Sequence, residues 1–178
     1  MKIFFNKQWT LFLDRDGVIN RRPINDYVKK PADFEFLPAV TEAIRLLSGI
    51  FGRIIVVTNQ QGVGLGLMTA QSLDEIHRLM LEKIEESGGK IDAVFSCTEL
   101  KTNPDNCRKP SMVMGEKALE AFPEIRFEQS VMLGDTQSDI LFGKNFGMKT
   151  IQIGSEKLEQ AADLKFDTLY QFARYCQL

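Results

Sequence analysis

The chain has 178 residues, of which 44% are hydrophobic and 26% are charged, and these proportions are typical of a globular domain with a sizeable core. Its formal net charge of -2 provides no basic field for binding nucleic acid or an anionic membrane surface. No apolar run approaches the roughly 20 residues that span a bilayer, and the N-terminus lacks a secretory signal. We therefore expect residues 1–178 to form one domain of a cytoplasmic protein, and the odd number of cysteines fits a reducing compartment.

Strand-like apolar runs alternate with helix-like spacings along the chain. The runs predict five strands, at 10–13, 54–57, 91–96, 131–133 and 150–153. Helical spacing predicts the intervening helices; a capping box at Ser72 starts the second helix, the fourth covers 140–146, and Asp167 caps the last. The loop over 20–36 is too short for an independent domain. This order is typical of an α/β fold in which helices cover both faces of a parallel sheet.

Polar side chains follow the predicted strands at the points where they end. Asp14 and Asp16 follow the first strand, Thr58 ends the second, and Asp135 follows the fourth. Lys109 closes the loop after the third strand. Because the carboxyl ends of parallel strands meet at one edge of a sheet, we expect these groups to lie together in a ligand site.

This set of groups is suited to phosphoryl transfer. Asp14 is a candidate nucleophile that would form an aspartyl-phosphate. Asp16 could protonate the leaving oxygen and then deprotonate the water that cleaves the intermediate. The Thr58 hydroxyl and nearby backbone amides could hold a phosphoryl oxygen, and Lys109 would neutralise the nucleophile and the phosphate together.

A divalent cation would relieve the repulsion between the crowded carboxylates. Mg²⁺ prefers hard oxygen ligands. Asp14, Asp135 and the main-chain carbonyl of Asp16 would supply them, and Asp139, one helical turn after Asp135, could orient that residue or a metal-bound water. These four residues form the predicted metal site.

Each residue also has an ordinary structural interpretation when it is taken alone. Asp135 could be a helix N-cap, Asp139 a surface acid of that helix, and Lys109 a solvated cation. A strand-ending turn would explain Thr58, and a turn that happens to be acidic would explain the first two carboxylates. Their joint occurrence at one sheet edge favours a functional site.

Four segments resemble the motifs of the haloacid dehalogenase-like phosphatases: Asp14-Arg15-Asp16-Gly17, Thr58-Asn59-Gln60, Arg108-Lys109-Pro110 and Gly134-Asp135-Thr136-Gln137-Ser138-Asp139. Their order and spacing are similar to those of the family over about residues 10–155. The resemblance implies a Rossmann-like three-layer sandwich with a central, mainly parallel sheet. The short segments between the motifs imply that there is no cap domain.

The resemblance also implies roles for individual residues. Asp14 would be the nucleophile, Asp16 the general acid and base, and Asp135 the Mg²⁺ ligand. The phosphate would be bound by Thr58 and Lys109. To the substrate-binding set we add the neighbours of these two residues, Asn59 and Arg108, the latter as a contact to a second anionic group.

The sequence departs at two places from the branch of this family that its motifs resemble. One departure concerns metal binding and the other concerns the substrate. Relatives in the branch that carry a zinc loop have Cys-x-His and Cys-x-Cys pairs, whereas this chain keeps Cys97 and Cys107 but has Glu99 and Asp105 at the other two places. Structural zinc favours sulfur and nitrogen ligands, so we expect no zinc and a loop held by packing and by Pro104. The second departure is at residue 65, a leucine where these enzymes often present an arginine.

The motif variants are similar to those of the branch that acts on D-glycero-D-manno-heptose 1,7-bisphosphate and histidinol phosphate. We expect a monomeric, Mg²⁺-dependent phosphatase of a small phosphorylated metabolite, with the heptose bisphosphate favoured. Histidinol phosphate and a nucleic-acid 3′-phosphate remain alternatives, although the acidic balance opposes nucleic acid. A phospho-accepting or ligand-binding domain is the non-enzymatic alternative, and Asp16 counts against it.

Two further patterns are given structural interpretations. The glycines of 62–66 place the third glycine one position early for a dinucleotide fingerprint, so we interpret them as a loop that bends close to the substrate. His77 is the only histidine and falls in the middle of a predicted helix. We expect it to be a helix-surface or boundary residue.

Overall fold

The computed structural model describes residues 3–178, and within them six parallel strands form one sheet in the order β3-β2-β1-β4-β5-β6. The strands are β1 Thr10–Leu13, β2 Arg53–Asn59, β3 Ala93–Cys97, β4 Ser130–Gly134, β5 Lys149–Ile153 and β6 Leu164–Phe166. The helices are α1 Val40–Ile50, α2 Gln61–Gly64, α3 Ala70–Glu86, α4 Val113–Ala121, α5 Gln137–Asn145 and α6 Leu169–Cys176, with short 3₁₀ turns at Pro31–Asp33 and Phe127–Gln129. This architecture confirms the predicted α/β fold.

The core lies on both faces of the sheet, because successive side chains of β1 point to opposite sides. Leu11 and Leu13 pack with apolar residues of α1, α3 and α6, whereas Phe12 packs with those of α4 and α5. All three side chains are fully buried. The result is the expected three-layer sandwich, and no cap domain is inserted between the elements of residues 3–178. None of the helices in this part of the chain is long and apolar enough to cross a membrane.

Helix starts differ from the sequence prediction in three places. Thr69 rather than Ser72 caps α3, and its Oγ1 accepts a hydrogen bond from the Ser72 amide. Thr168 rather than Asp167 caps α6. The α5 helix begins at Gln137, three residues before the predicted start, since Thr136 and an acid three residues later form a capping box there.

The edge strand β6 was not predicted. It has only three residues, and its exposed middle residue lies between two half-buried ones. It pairs in parallel with β5, which it reaches after a polar loop. A run this short carries no hydrophobic signal that distinguishes it from a loop.

The loop after β3 is closed by a disulfide between Cys97 and Cys107, whose Cα atoms are 5.5 Å apart. The prediction that packing and Pro104 hold this loop is therefore wrong. The disulfide joins the carboxyl end of β3 to the residue that precedes Arg108 and Lys109. The third cysteine, Cys176, is free and lies in α6.

Loss of this disulfide is expected to lower the free energy of unfolding by about 2–3 kcal/mol, because the cross-link restricts a short loop in the unfolded chain. The double variant Cys97→Ser, Cys107→Ser should show this loss in urea unfolding under oxidising conditions. Dithiothreitol should produce a similar loss in the wild type and in a Cys176→Ser control. Identical unfolding curves with and without reductant would contradict the cross-link.

Candidate active site

A cleft of about 190 Å³ lies at the carboxyl edge of the sheet, where most of the predicted site residues are found. Six of the eight predicted residues line it directly: Asp14, Asp16, Asn59, Arg108, Lys109 and Asp139. Thr58 and Asp135 do not belong to the lining. Thr58 is buried, and its Oγ1 accepts a hydrogen bond of 2.8 Å from Nε2 of Gln60, a residue that does line the cleft.

The turn after β1 brings the carboxylates of Asp14 and Asp135, which are distant in sequence, close together. The Asp14 amide still donates to the Leu133 carbonyl of β4 at 2.9 Å, so Asp14 continues the strand pairing. Gly17 has a φ of 90°, which favours glycine, and a Cβ at this position would lie 1.9 Å from Asp135 Oδ2. Gly17 is therefore required both for the turn and for the approach of Asp135.

Lys109 is the central cation of the site. Its Nζ lies 2.8 Å from Asp14 Oδ1 and 2.6 Å from Asp139 Oδ1, and it donates to the Val57 carbonyl at 2.7 Å. Burial disfavours the ammonium, but the two carboxylates raise the pKa of Lys109 above its ordinary value. The lysine is thus held charged beside the candidate nucleophile.

Asn59 positions the Lys109 backbone. Its Oδ1 accepts a hydrogen bond from the Lys109 amide at 2.9 Å, and its Nδ2 donates to the Lys109 carbonyl at 3.3 Å. Both polar atoms of the side-chain amide are therefore engaged with protein. This geometry favours a positioning role for Asn59 over direct contact with a phosphoryl group.

Three side chains orient Asp16, and none of them was predicted as a site residue. Arg15 NH2 lies 3.0 Å from both carboxylate oxygens of Asp16. Asn20 Nδ2 donates to Oδ1 at 2.9 Å, and Gln60 Nε2 donates to Oδ2 at 2.7 Å. Two of the three, Arg15 and Gln60, are members of the quoted motif segments, so the sequence signal for them was present.

The interpretation of His77 as a surface or boundary residue is wrong. It is buried on α3, and its Nε2 lies 3.2 Å from Arg15 NH1. Burial, and then the nearby Arg15 charge, lower the pKa of His77 to about 4. A neutral imidazole can accept the hydrogen bond from Arg15, which in turn binds Asp16. His77 therefore positions Asp16 indirectly, through Arg15.

Asp14, Asp135 and Asp139 form a carboxylate cluster, with one oxygen of each lying within 4.8 Å of the others. Burial, and then the charges of Asp139 and Asp16, raise the pKa of Asp14 to about 7, although Lys109 acts to lower it. Burial and the two neighbouring acids raise the pKa of Asp135 to about 8. Such a cluster is costly unless a further cation shares it.

The donor set of this cluster fits Mg²⁺. Asp135 Oδ1 is buried and has no hydrogen-bond partner within residues 3–178. Asp139 is already engaged, since its Oδ2 accepts from the Thr136 amide and hydroxyl while Oδ1 binds Lys109. Asp14 and Asp135 are therefore the better placed ligands, and hard carboxylate oxygens are what Mg²⁺ prefers.

Arg22 is a further residue that the sequence analysis missed. Its NH2 lies 3.1 Å from Asp135 Oδ2 and 2.8 Å from Glu156 Oε2, and its side chain lines the cleft. Arg22 lies in the polar loop after β1, outside every motif. No periodicity or spacing in that loop could have indicated its position.

Comparison with known proteins identifies the family to which this chain is similar. A family model described as "HAD-hyrolase-like" matches residues 106–172. The D-glycero-alpha-D-manno-heptose-1,7-bisphosphate 7-phosphatase of Mycobacterium tuberculosis is 38% identical over 171 residues, which cover 93% of this chain and 90% of that protein. The D-glycero-beta-D-manno-heptose-1,7-bisphosphate 7-phosphatase of Helicobacter pylori is 32% identical and covers 81% of this chain and 82% of its own length.

Solved structures show the same fold. The D,D-heptose 1,7-bisphosphate phosphatase of B. bronchiseptica, complexed with magnesium and phosphate, has a TM-score of 0.84 at 24% identity and covers 98% of this chain and 97% of its own. The corresponding phosphatase of Burkholderia thailandensis has a TM-score of 0.67 at 28% identity, with 93% and 96% covered. From the motifs, the fold and the identity to curated relatives, this chain belongs to the haloacid dehalogenase-like family and is a phosphatase.

Proposed function

We propose that residues 1–178 form a single Mg²⁺-dependent phosphatase domain that acts through an aspartyl-phosphate on Asp14. The observation that carries this proposal is the contact between Lys109 Nζ and Asp14 Oδ1 at 2.8 Å, inside a cleft that also contains Asp16. A buried lysine favours the ionised form of the nucleophile and offers positive charge to the transferring phosphoryl group.

The reaction would proceed in two displacements. An Asp14 carboxylate oxygen attacks phosphorus, the bond from phosphorus to the leaving oxygen breaks, and Asp16 gives that oxygen a proton. Asp16 then takes a proton from a water that attacks the phosphorus of the aspartyl-phosphate, which releases inorganic phosphate and restores Asp14. Lys109 remains beside the phosphoryl oxygens in both steps.

Mg²⁺, held by Asp14, Asp135 and the main-chain carbonyl of Asp16, would supply positive charge against the phosphoryl oxygens. Asp139 would act on the site through Lys109, which it contacts at 2.6 Å, rather than as a metal ligand. Haloacid dehalogenase-like phosphatases generally use this ion.

Asp16→Ala is expected to lower kcat/KM for alkyl phosphates by ~10²–10⁴-fold, the usual contribution of general acid–base catalysis. The loss should be smaller for p-nitrophenyl phosphate, because its leaving group departs without a proton. Comparing the two substrates separates loss of the acid from loss of the fold. An equal loss for both substrates would contradict the role of Asp16 as the acid.

Mg²⁺ is expected to raise the melting temperature more at about pH 8 than at about pH 6. In the metal-free protein the pKa values of Asp14 and Asp135 are raised from 3.8 to about 7 and about 8. Their ionisation therefore costs stability as the pH rises through that range, and metal binding, which needs the ionised forms, removes this cost. Differential scanning fluorimetry at fixed Mg²⁺ measures both shifts.

An Asp135→Asn variant is the control for this pH dependence, because it removes one candidate ligand while keeping the side-chain shape. Its melting temperature should respond little to Mg²⁺ at either pH. A wild-type shift of the same size at both pH values would contradict the carboxylate site.

We propose that the substrate is a D-glycero-D-manno-heptose 1,7-bisphosphate and that the 7-phosphate is released. Relatives that are similar over most of the length of this chain, named as heptose-1,7-bisphosphate 7-phosphatases, support this substrate. Besides Lys109, the cleft is lined by Arg22 and Arg108. These three cations supply more positive charge than one phosphoryl group needs. Arg108 NH1 is buried without a hydrogen-bond partner in the described chain, so it can bind a second phosphate.

Phosphate release from a substrate panel tests this proposal. The panel contains both anomers of the heptose bisphosphate, histidinol phosphate, a 3′-phosphorylated oligonucleotide and p-nitrophenyl phosphate. We expect one heptose bisphosphate to have the highest kcat/KM. A higher value for histidinol phosphate or for the oligonucleotide would overturn the substrate assignment while leaving the phosphatase chemistry intact.

A further inference from the structure

Arg22 bridges two loops across the mouth of the cleft. It follows β1, whereas its partners Asp135 and Glu156 follow β4 and β5. The guanidinium NH2 contacts both carboxylates, at 3.1 Å and 2.8 Å respectively. With 43% of its side chain exposed, Arg22 can move without disturbing the core.

The contact with Asp135 is in conflict with the proposed metal site. Asp135 would hold Mg²⁺, and a guanidinium on the same carboxylate places a second cation within a few ångströms of the first. The two cations therefore compete for one carboxylate. Glu156 gives Arg22 a second anchor, so Arg22 can release Asp135 and still remain at the cleft.

We propose that Arg22 closes the metal site in the free enzyme and, once Mg²⁺ occupies Asp135, binds the second phosphate group of the substrate. This exchange couples Mg²⁺ binding to recognition of a bisphosphate. The Arg22 guanidinium that Mg²⁺ displaces from Asp135 then becomes a ligand of the substrate. Its substrate half rests on the proposed function, whereas its metal half rests on the contacts of Arg22 and on Asp135 as the proposed metal ligand.

The metal half is tested by Mn²⁺ titration of the free protein followed by electron paramagnetic resonance. Arg22→Gln should tighten Mn²⁺ binding by about fivefold, the upper range for a partly exposed ion pair. The matched control is Arg21→Gln, which removes the same charge from the neighbouring residue, whose side chain is 67% exposed and pairs with Glu35. Equal Mn²⁺ affinity in the two variants would overturn the proposal.

The substrate half is tested by the ratio of kcat/KM for a bisphosphate to that for its monophosphate. Arg22→Gln should lower this ratio by roughly tenfold, the value of a charge-assisted hydrogen bond, and Arg21→Gln should leave it unchanged. An unchanged ratio in Arg22→Gln would overturn the substrate half. If the wild type hydrolyses no phosphomonoester, the proposed function fails, and the Mn²⁺ titration still decides the role of Arg22 at the metal site.

Discussion

Asp14→Asn is expected to lower kcat for every phosphomonoester by about 10⁴-fold or more, since an amide cannot attack phosphorus as a carboxylate does. Asparagine keeps the shape of the side chain, and its amide oxygen can still accept the hydrogen bond from Lys109. The loss should therefore appear in turnover and not in folding. Mg²⁺-dependent hydrolysis of p-nitrophenyl phosphate and acetyl phosphate measures it.

Asp26→Asn is the matched control for this variant. Asp26 also lines the cleft, but it is exposed, pairs with Lys29 at 3.0 Å and is not a member of the carboxylate cluster. It should keep turnover close to that of the wild type. If Asp14→Asn retained the activity of this control, the nucleophile would have to be another group.

Lys109→Met is expected to lower the free energy of unfolding by about 3–5 kcal/mol, in addition to reducing turnover. The substitution leaves the buried Asp14 and Asp139 carboxylates without their shared cation. Methionine replaces most of the volume of the lysine stem, so the loss reports on charge rather than on a cavity. Urea unfolding in the absence of Mg²⁺ measures this loss.

The control for the lysine substitution is Lys83→Met on the surface of α3. Lys83 is exposed and pairs with Glu86 at 2.7 Å. Because exposed ion pairs contribute little, this variant should unfold at nearly the same urea concentration as the wild type. A Lys109→Met protein as stable as the Lys83→Met protein would show that the buried carboxylates do not depend on the lysine.

The position of the site could be predicted from sequence because a parallel sheet gathers its strand ends. The alternation of strands and helices indicated one sheet edge for Asp14, Thr58 and Asp135, and the structure shows that their strands β1, β2 and β4 are adjacent. The alternation of strands and helices also predicted a hydrophobic core on both faces of the sheet. Apolar β1 residues pack on both faces, as a central strand requires.

The groups that support the site could not be predicted, because their roles depend on tertiary contacts. The sequence indicated a surface or boundary position for His77, but α3 places its Nε2 3.2 Å from Arg15 NH1. Arg22 lies in a loop without periodicity and reaches its carboxylates across the cleft. The disulfide required the ends of a loop to lie 5.5 Å apart, a distance that the spacing of the cysteines does not determine.

Chemical trapping of the intermediate on Asp14 is the most direct measurement. Protein mixed with Mg²⁺ and a substrate that it turns over is quenched during turnover and treated with borohydride, which reduces an acyl phosphate to an alcohol. Mass spectrometry of the peptide that contains residue 14 should then show homoserine at that position, only when substrate is present. Fully unmodified Asp14 in a protein that is turning over substrate, or modification at another acid, would contradict catalysis through an aspartyl-phosphate on this residue.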